Sequence, residues 1–378
     1  MSFEHYLQRG TQKLRMGFTT GSCAALAAKA AAQMLFTGER VEAVRIMTPK
    51  GLPVEAQVLD IELAADYVRC AVQKDAGDDP DVTDGVLVYA ELRKTDRPGV
   101  HIDGGNGVGR VSRPGLDQPI GAAAINRVPR QMISKEVQAI CERHDYKGGL
   151  EVTISIPQGA RLARRTFNAR LGIEGGISVL GTSGIVEPRS AQALIDCIGV
   201  ELRVLAAEGY RGVMFTPGNY GRAFIAAHPS LAQATVPTVN CSNFIGDSLD
   251  LAVACGFKQI LLVGHIGKFV KLAGGIMNTH SSVADCRMEL LAVHAALAGA
   301  ERNTVAELMD AISTDGSIEI LDEHGLRKTV FHSLLQRIQA HLGNRVGDAI
   351  EIGALLFSNL HGFLGQTETA ADLIASFR

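Results

Sequence analysis

Apolar and polar positions along this chain follow two regimes, and the change falls near Gly172. Before it, residues 22–36 read as an alanine-rich helix with Ser22 as N-cap and Gly38 beyond the end. Between about 41 and 100, the segments VEAVRIMTP, LPVEAQVLDIEL, YVRCAVQKD and GVLVYAELR are short and β-branched, and Gly, Pro and Asp separate them. They read as strands. A helix is predicted over 129–143 and a strand over 150–156, ahead of Pro157. Strands with two separate helices predict an α+β domain over residues 1–170.

After Gly172 strand and helix alternate. Strand-like ISVL (177–180) precedes a helix at 190–208, Val213–Thr216 one at 221–228, Val236–Val239 one at 246–255, and Gln259–Val263 one at 281–299. This rhythm predicts βαβ units and a Rossmann-like α/β domain with a mostly parallel sheet over residues 171–378. Residues 328–342 read as helix, 350–357 and 362–366 as a hairpin around Asn359, and a last helix starts near 368. The pattern does not assign that hairpin to a domain; joining the first is one option.

Each of those four strands ends in a small or polar turn: GTSG, TPGNYG, NCSN and GHIGK. Ligands of open parallel sheets bind outside the carboxyl ends of the strands. The turn Gly181-Thr182-Ser183-Gly184, inside a glycine-dense run from Gly172 to Ser190, is thereby a candidate ligand loop at a helix start. A tight turn needing positive φ explains the glycines equally well. The spacing is not GxGxxG, and no acidic residue sits about 20 positions on, which argues against a nicotinamide-dependent reductase.

Composition narrows the class. The 378 residues are 46% apolar, enough for two or three globular domains. A net charge of −3 with no Trp and no basic–aromatic tract argues against nucleic acid as a partner. Seven scattered cysteines without CxxC read as reduced thiols of a cytoplasmic protein. Lys29 and Gln33 interrupt the early alanine run, so it reads as a helix and not an export signal, and no stretch has the length of a membrane span. The oligomeric state stays open, a homo-oligomer included.

Several clusters carry candidate chemistry. Thr19, Thr20 and Ser22 stand at a helix start, where hydroxyls and N–H groups suit a carboxylate or phosphate; plain capping is the alternative. Asp75, Asp78, Asp79 and Asp81 crowd one loop in an order unlike an EF-hand, so calcium held by protein alone is not expected. Such a loop faces a cation, accepts a proton, or is a solvated turn. Arg161, Arg164, Arg165 and Arg170 suit substrate carboxylates or an ordinary surface. His265 and Lys268 follow an apolar strand in a sequence that is not a P-loop. No His/Cys cluster has zinc spacing and no GxSxG elbow is present.

Taken in order, MGFTTGSCAALAAKAA, KDAGDDPDVTDG, GGNGVGRVSRPGL, AINRVPRQMI, VTISIPQGARLARRTFNARLGIEGGISVLGTSGIVEPRS and GHIGKFVKLAGGIMNTHSSVAD resemble the CbiD family over about residues 16–285. Ser22, Ala122, Ala123 and Ala169 depart from the pattern. The resemblance implies transfer of a methyl group from S-adenosyl-L-methionine to carbon 1 of cobalt-precorrin-5B, giving cobalt-precorrin-6A in anaerobic cobalamin biosynthesis. The cobalt-containing tetrapyrrole would be the partner. Its metal arrives chelated, so no protein metal site is expected, and neither nucleic acid nor membrane is. On that reading Gly181, Thr182, Ser183, Gly184, Asn219 and Asn240 would hold the cofactor. Thr19, Thr20, Ser22, Arg161, Arg164, Arg165, Arg170 and Lys268 would bind substrate carboxylates, with Arg130 and Lys271 next. Asp75, Asp78 and His265 would be catalytic. A non-catalytic tetrapyrrole carrier is the remaining alternative.

Overall fold

Alanine lets a helix lie close against its neighbours, and the first helix, Thr20–Thr37, uses that on nearly every side. All residues from Thr20 to Ala28 are buried, as expected of a helix that is apolar all round. In this computed structural model, which describes residues 3–166 and 168–378, the helix is capped by Thr19, whose Oγ1 accepts from Ser22 N at 3.2 Å. Ser22 therefore lies inside the helix and is not its N-cap. Gly38, at φ 71°, ends it. Lys29, the one charged side chain in the run, reaches Glu136 at 2.7 Å on the helix Arg127–Arg143.

The chain forms two compact units, Met1–Ala191 and Gln192–Arg378. In the first, five strands lie in the order Leu59–Leu63, Val68–Gln73, Leu87–Thr95, Gly149–Ser155, Gly99–Gly104. All neighbours are antiparallel except the last pair. The two helices above share one core with this sheet. The segment from Gly172 to Ser190 clusters with this unit and not with the next. Within it ISVL forms no regular strand: Ile177 and Val179 make isolated bridges to Val108 and Ile125. Close approach accounts for Gly176, where a Cβ would lie 2.2 Å from the Gly107 carbonyl oxygen, and for Gly181, where it would meet the Thr19 side chain.

In the second unit the strands Thr238–Asn240, Gly212–Thr216, Gln259–His265 and Glu351–Ser358 are parallel, and Gly362–Gln366 adds an antiparallel edge. The fourth parallel strand is thus the first arm of the C-terminal hairpin, not ISVL. Alternate residues feed opposite faces: Ile260 and Leu262 enter one core, Leu261 and Val263 the other. That double burial is why the strand reads as an unbroken apolar run. The chain passes from Gly212–Thr216 outward to Thr238–Asn240, then crosses back to Gln259–His265 on the other side. The order of strands therefore reverses between the Gly212 and Gln259 strands. Among the described residues no helix is long and apolar enough to cross a membrane.

Two glycines separate the cost of a positive φ from that of a close approach. A Cβ added at Gly38 (φ 71°) would have nothing within 4 Å, whereas one at Gly77 (φ 65°) would lie 2.3 Å from the Arg15 carbonyl oxygen. Gly38→Ala is expected to cost about 1–2 kcal/mol, the penalty of the left-handed region alone. Gly77→Ala is expected to cost clearly more, and urea unfolding midpoints of the two variants measure the difference.

Candidate functional site

The strand Gly212–Thr216 is buried along its whole length and delivers Thr216 to the carboxyl edge of the second sheet. Parallel pairing sets Thr216 beside Asn240, and His265 beside Phe357. After Thr216 the chain turns through Gly218, at φ 109°, into the helix Asn219–Ala227, whose start has no side-chain cap. Asn240 Oδ1 accepts from Ser242 N at 2.9 Å and fixes the neighbouring turn.

His265 ends its strand and caps the short helix Ile266–Phe269, its Nδ1 accepting from Gly267 N at 3.1 Å. Burial pushes its pKa below the ordinary value, against a smaller opposing pull from Asp315. A neutral imidazole whose Nδ1 accepts carries its proton on Nε2, so His265 is an oriented donor. The Phe357 ring stands edge-on to it at 5.6 Å. Lys268 donates from Nζ to the Pro217 carbonyl at 3.2 Å. That bond ties together the two loops on either side of the strand-order reversal, where open α/β sheets bind ligands. Burial lowers the Lys268 pKa.

Among the described residues, buried polar atoms without a hydrogen-bond partner include Thr216 Oγ1, His228 Nδ1 and His361 Nε2. Such atoms are uncommon in folded proteins. His228 is 5.6 Å from the Phe224 ring, Phe224 stacks on Phe357 at 4.3 Å, and His361 follows three residues after Ser358 at the end of the Phe357 strand. Phe224 and His228 are an i, i+4 pair at the end of the Asn219–Ala227 helix, and only the long-range stack of Phe224 on Phe357 leaves no signal in local spacing.

The glycine turn has a different setting from the one expected. Gly181, Thr182, Ser183 and Gly184 do not sit at a helix start of the parallel sheet, because Ile185–Val186 and the residues to Ser190 separate them from the helix Ala191–Ala207; they strap the start of the first helix. Gly21 N donates to Leu180 O at 3.0 Å and Thr19 N to Gly184 O at 3.1 Å. Ser22 Oγ donates to Gly184 O at 2.6 Å, and Thr20 Oγ1 accepts from Leu180 N at 3.0 Å. A Cβ on Gly181 would meet Thr19 Oγ1 at 2.3 Å. Thr19, Thr20 and Ser22 are buried and bonded to this strap or to the helix itself, so capping explains them.

The acidic loop is also engaged internally. Asp75 makes a two-pronged pair with Arg15 at 2.6 and 2.8 Å, and Asp78 accepts from Arg15 N at 2.6 Å. Asp81 holds the buried Lys74 at 2.7 Å, and Asp79 accepts from Arg189 N at 3.0 Å. These bonds fold the loop onto the chain at Arg15 and explain the carboxylates without catalysis. Arg130 donates to the carbonyls of Ile125 and Ile102, each at 2.8 Å, and Lys271 to those of Thr279 and Ala284, at 3.2 and 2.8 Å. Both have structural work. Arg161, Arg164, Arg165 and Arg170 are exposed on and after the short helix Gly159–Ala163. Among the described residues no group of three or more His, Cys, Asp or Glu side chains is arranged to hold a metal ion.

A parallel sheet covered on both faces, with Thr216 and His265 at the carboxyl ends of neighbouring strands, defines the second unit as an α/β sheet. The chain belongs to the CbiD family: the CbiD family model matches residues 7–188, and the model described as CbiD, C-terminal domain, matches 278–368. It is 45% identical over 376 residues to the cobalt-precorrin-5B C(1)-methyltransferase of Ruminiclostridium cellulolyticum, covering 98% of this chain and 97% of that one. It is 43% identical over 364 residues to the protein of the same name from a Thermoanaerobacter species, covering 96% and 98%. A solved structure, the cobalamin biosynthesis protein (cbiD) from Archaeoglobus fulgidus, is 27% identical, with a TM-score of 0.40 over 75% of this chain and 87% of that one.

The acidic loop gives a pH signature. Burial alone would raise the Asp75 carboxyl, but the Arg15 guanidinium and the Gly77 N–H hold it below the usual range. A depressed carboxyl contributes stability above its unfolded value, about 3.9, and loses it as pH falls through the folded one. Asp75→Asn is expected to be less stable than the parent chain at pH 7, with the gap closing below about pH 4. Urea midpoints at pH 7, 5 and 3 test this; a gap independent of pH would reject the assignment.

Proposed function

We propose that this chain is a cobalt-precorrin-5B C(1)-methyltransferase, acting in anaerobic cobalamin biosynthesis in the cytoplasm. The observation that carries this is the full-length likeness to relatives bearing that name, at 45% identity over 98% of the chain. S-Adenosyl-L-methionine is the proposed methyl donor, and when bound it supplies an already activated methyl group on a cationic sulfur. We read the second unit as Rossmann-like and the first as α+β, with the donor at the carboxyl edge of the second sheet. The buried, unpartnered Thr216 hydroxyl, the exposed Asn219 and the oriented His265 donor suit a polar nucleoside-type ligand there. Cobalt rides in the substrate.

The work left to the protein is alignment and exclusion of water. His265 fits that role as a fixed hydrogen-bond donor better than as an acid or base, because its Nδ1 is held by Gly267 N. Asp75 and Asp78, tied to Arg15, are not needed as proton carriers. Arg161, Arg164, Arg165 and Arg170 remain the proposed partners for the acetate and propionate groups of the tetrapyrrole, because they are exposed and a guanidinium plane matches a carboxylate with two parallel bonds.

Calorimetry separates this reading from a reductase and from a carrier. S-Adenosylhomocysteine is expected to bind and NADH not to; NADH binding alone would reject the methyltransferase. The double variant Arg164→Ala, Arg165→Ala is expected to weaken cobalt-precorrin-5B binding about tenfold, from two exposed charge pairs of up to ~1 kcal/mol each, with the nucleoside affinity unchanged. Equal loss of both ligands would reject the arginine assignment.

A further inference from the structure

We infer that the crevice where the strand order of the second unit reverses is a carboxylate-binding subsite, formed by the start of the Asn219–Ala227 helix and the Lys268 ammonium. The inference rests on the methyltransferase reading for the identity of its ligands. Three independent features converge on it.

The nine-residue helix begins at Gly218 without a side-chain cap, so its first N–H groups and the positive end of its dipole remain to be matched. A Cβ at Gly218 would have nothing within 4 Å, so that side of the turn is open. Lys268 sends its ammonium into the same turn, 3.2 Å from Pro217 O, and among the described residues no carboxylate pairs with it. A half-buried cation with only a carbonyl partner is incompletely compensated. The third feature is the Thr216 hydroxyl, fully buried and without a hydrogen-bond partner among the described residues, pressed against Gly221 in the first turn of the helix.

The charged and titratable groups around the crevice set its sign. Lys271 is a second nearby cation, and Cys241, with its thiol pushed up to about 12 by burial, is neutral. Asp315 acts on His265 and is hydrogen-bonded to Ser358. The balance at Lys268 is positive. A sulfonium would be repelled there and a carboxylate attracted. Two sources offer one: the amino-acid end of the methyl donor and the peripheral acids of the tetrapyrrole.

The full-length chain and its Lys268→Met and Lys268→Gln variants are titrated with S-adenosylhomocysteine, with 5′-methylthioadenosine, which lacks the amino-acid end, and with cobalt-precorrin-5B. If the donor's carboxylate occupies the subsite, both variants lose about tenfold for S-adenosylhomocysteine and nothing for methylthioadenosine, and Lys268→Arg restores the difference. If a tetrapyrrole carboxylate occupies it, the loss falls on cobalt-precorrin-5B and spares both nucleosides. Lys268→Gln keeps an uncharged donor toward Pro217 and serves if the Met variant melts early. Thr216→Ala is expected to weaken the same ligand as the Lys268 variants, and Thr216→Ser to retain it. Folded variants that bind all three ligands as the parent does, with methyl transfer intact, would overturn the subsite alone. A parent chain that binds neither S-adenosylhomocysteine nor cobalt-precorrin-5B would overturn the function and the subsite together.

Discussion

Burial of the second unit's parallel ladder on both faces is the constraint from which its chemistry follows. With Ile260 and Leu262 committed to one core and Leu261 and Val263 to the other, polar side chains have no place along the strands. They collect where the strands stop: Thr216, Asn240, His265 and Ser358 each stand at a carboxyl end. Because the chain crosses from one side of the Gly212 strand to the other, the loops after Thr216 and His265 diverge there. The bond from Lys268 to the Pro217 carbonyl holds them together.

The first unit meets a different constraint. A helix buried on all sides needs its orphan N–H groups satisfied inside the protein. The strap from Leu180 to Gly184 does this with backbone carbonyls, and the acidic loop closes on the chain at Arg15 in a similar way. Both approaches are too close for side chains at Gly77 and Gly181. Close approach of a neighbouring segment accounts for the glycine at these two positions.

Contacts of this kind are long-range, and a local sequence pattern does not display them. Most helices and strands were legible because period and punctuation are local: Arg127–Arg143, Gly149–Ser155, Gln259–His265 and the hairpin Glu351–Gln366 lie close to their expected bounds. ISVL failed because four apolar residues before a glycine turn look alike whether they enter a ladder or only touch one, and long-range pairing decides. The helices Arg302–Asp310 and Thr314–Glu323 had no counterpart in the expected pattern. The helix expected over 281–299 begins only at Arg287, after Cys286 takes a φ of 51°. The loops TPGNYG and GHIGK are legible from their place after apolar strands. The engagement of Asp75, Asp78, Thr20 and Ser22 was invisible, since hydrogen-bond partners some sixty positions away or more leave no local trace.

The protonation of the edge follows from the same burial. A base taking a proton at His265 Nε2 would first have to move its own proton to Nδ1, breaking the bond to Gly267 N and uncapping the Ile266–Phe269 turn. The alternative of an imidazolium is opposed by burial, and the pull of Asp315 is too weak to reverse it. His265 is thus held as a neutral donor at neutral pH. On the proposed reading, a group held in one state at neutral pH suits a reaction whose methyl group arrives activated and whose carbon nucleophile is already electron-rich. Such a reaction asks its protein for geometry and a dry crevice, not for proton traffic.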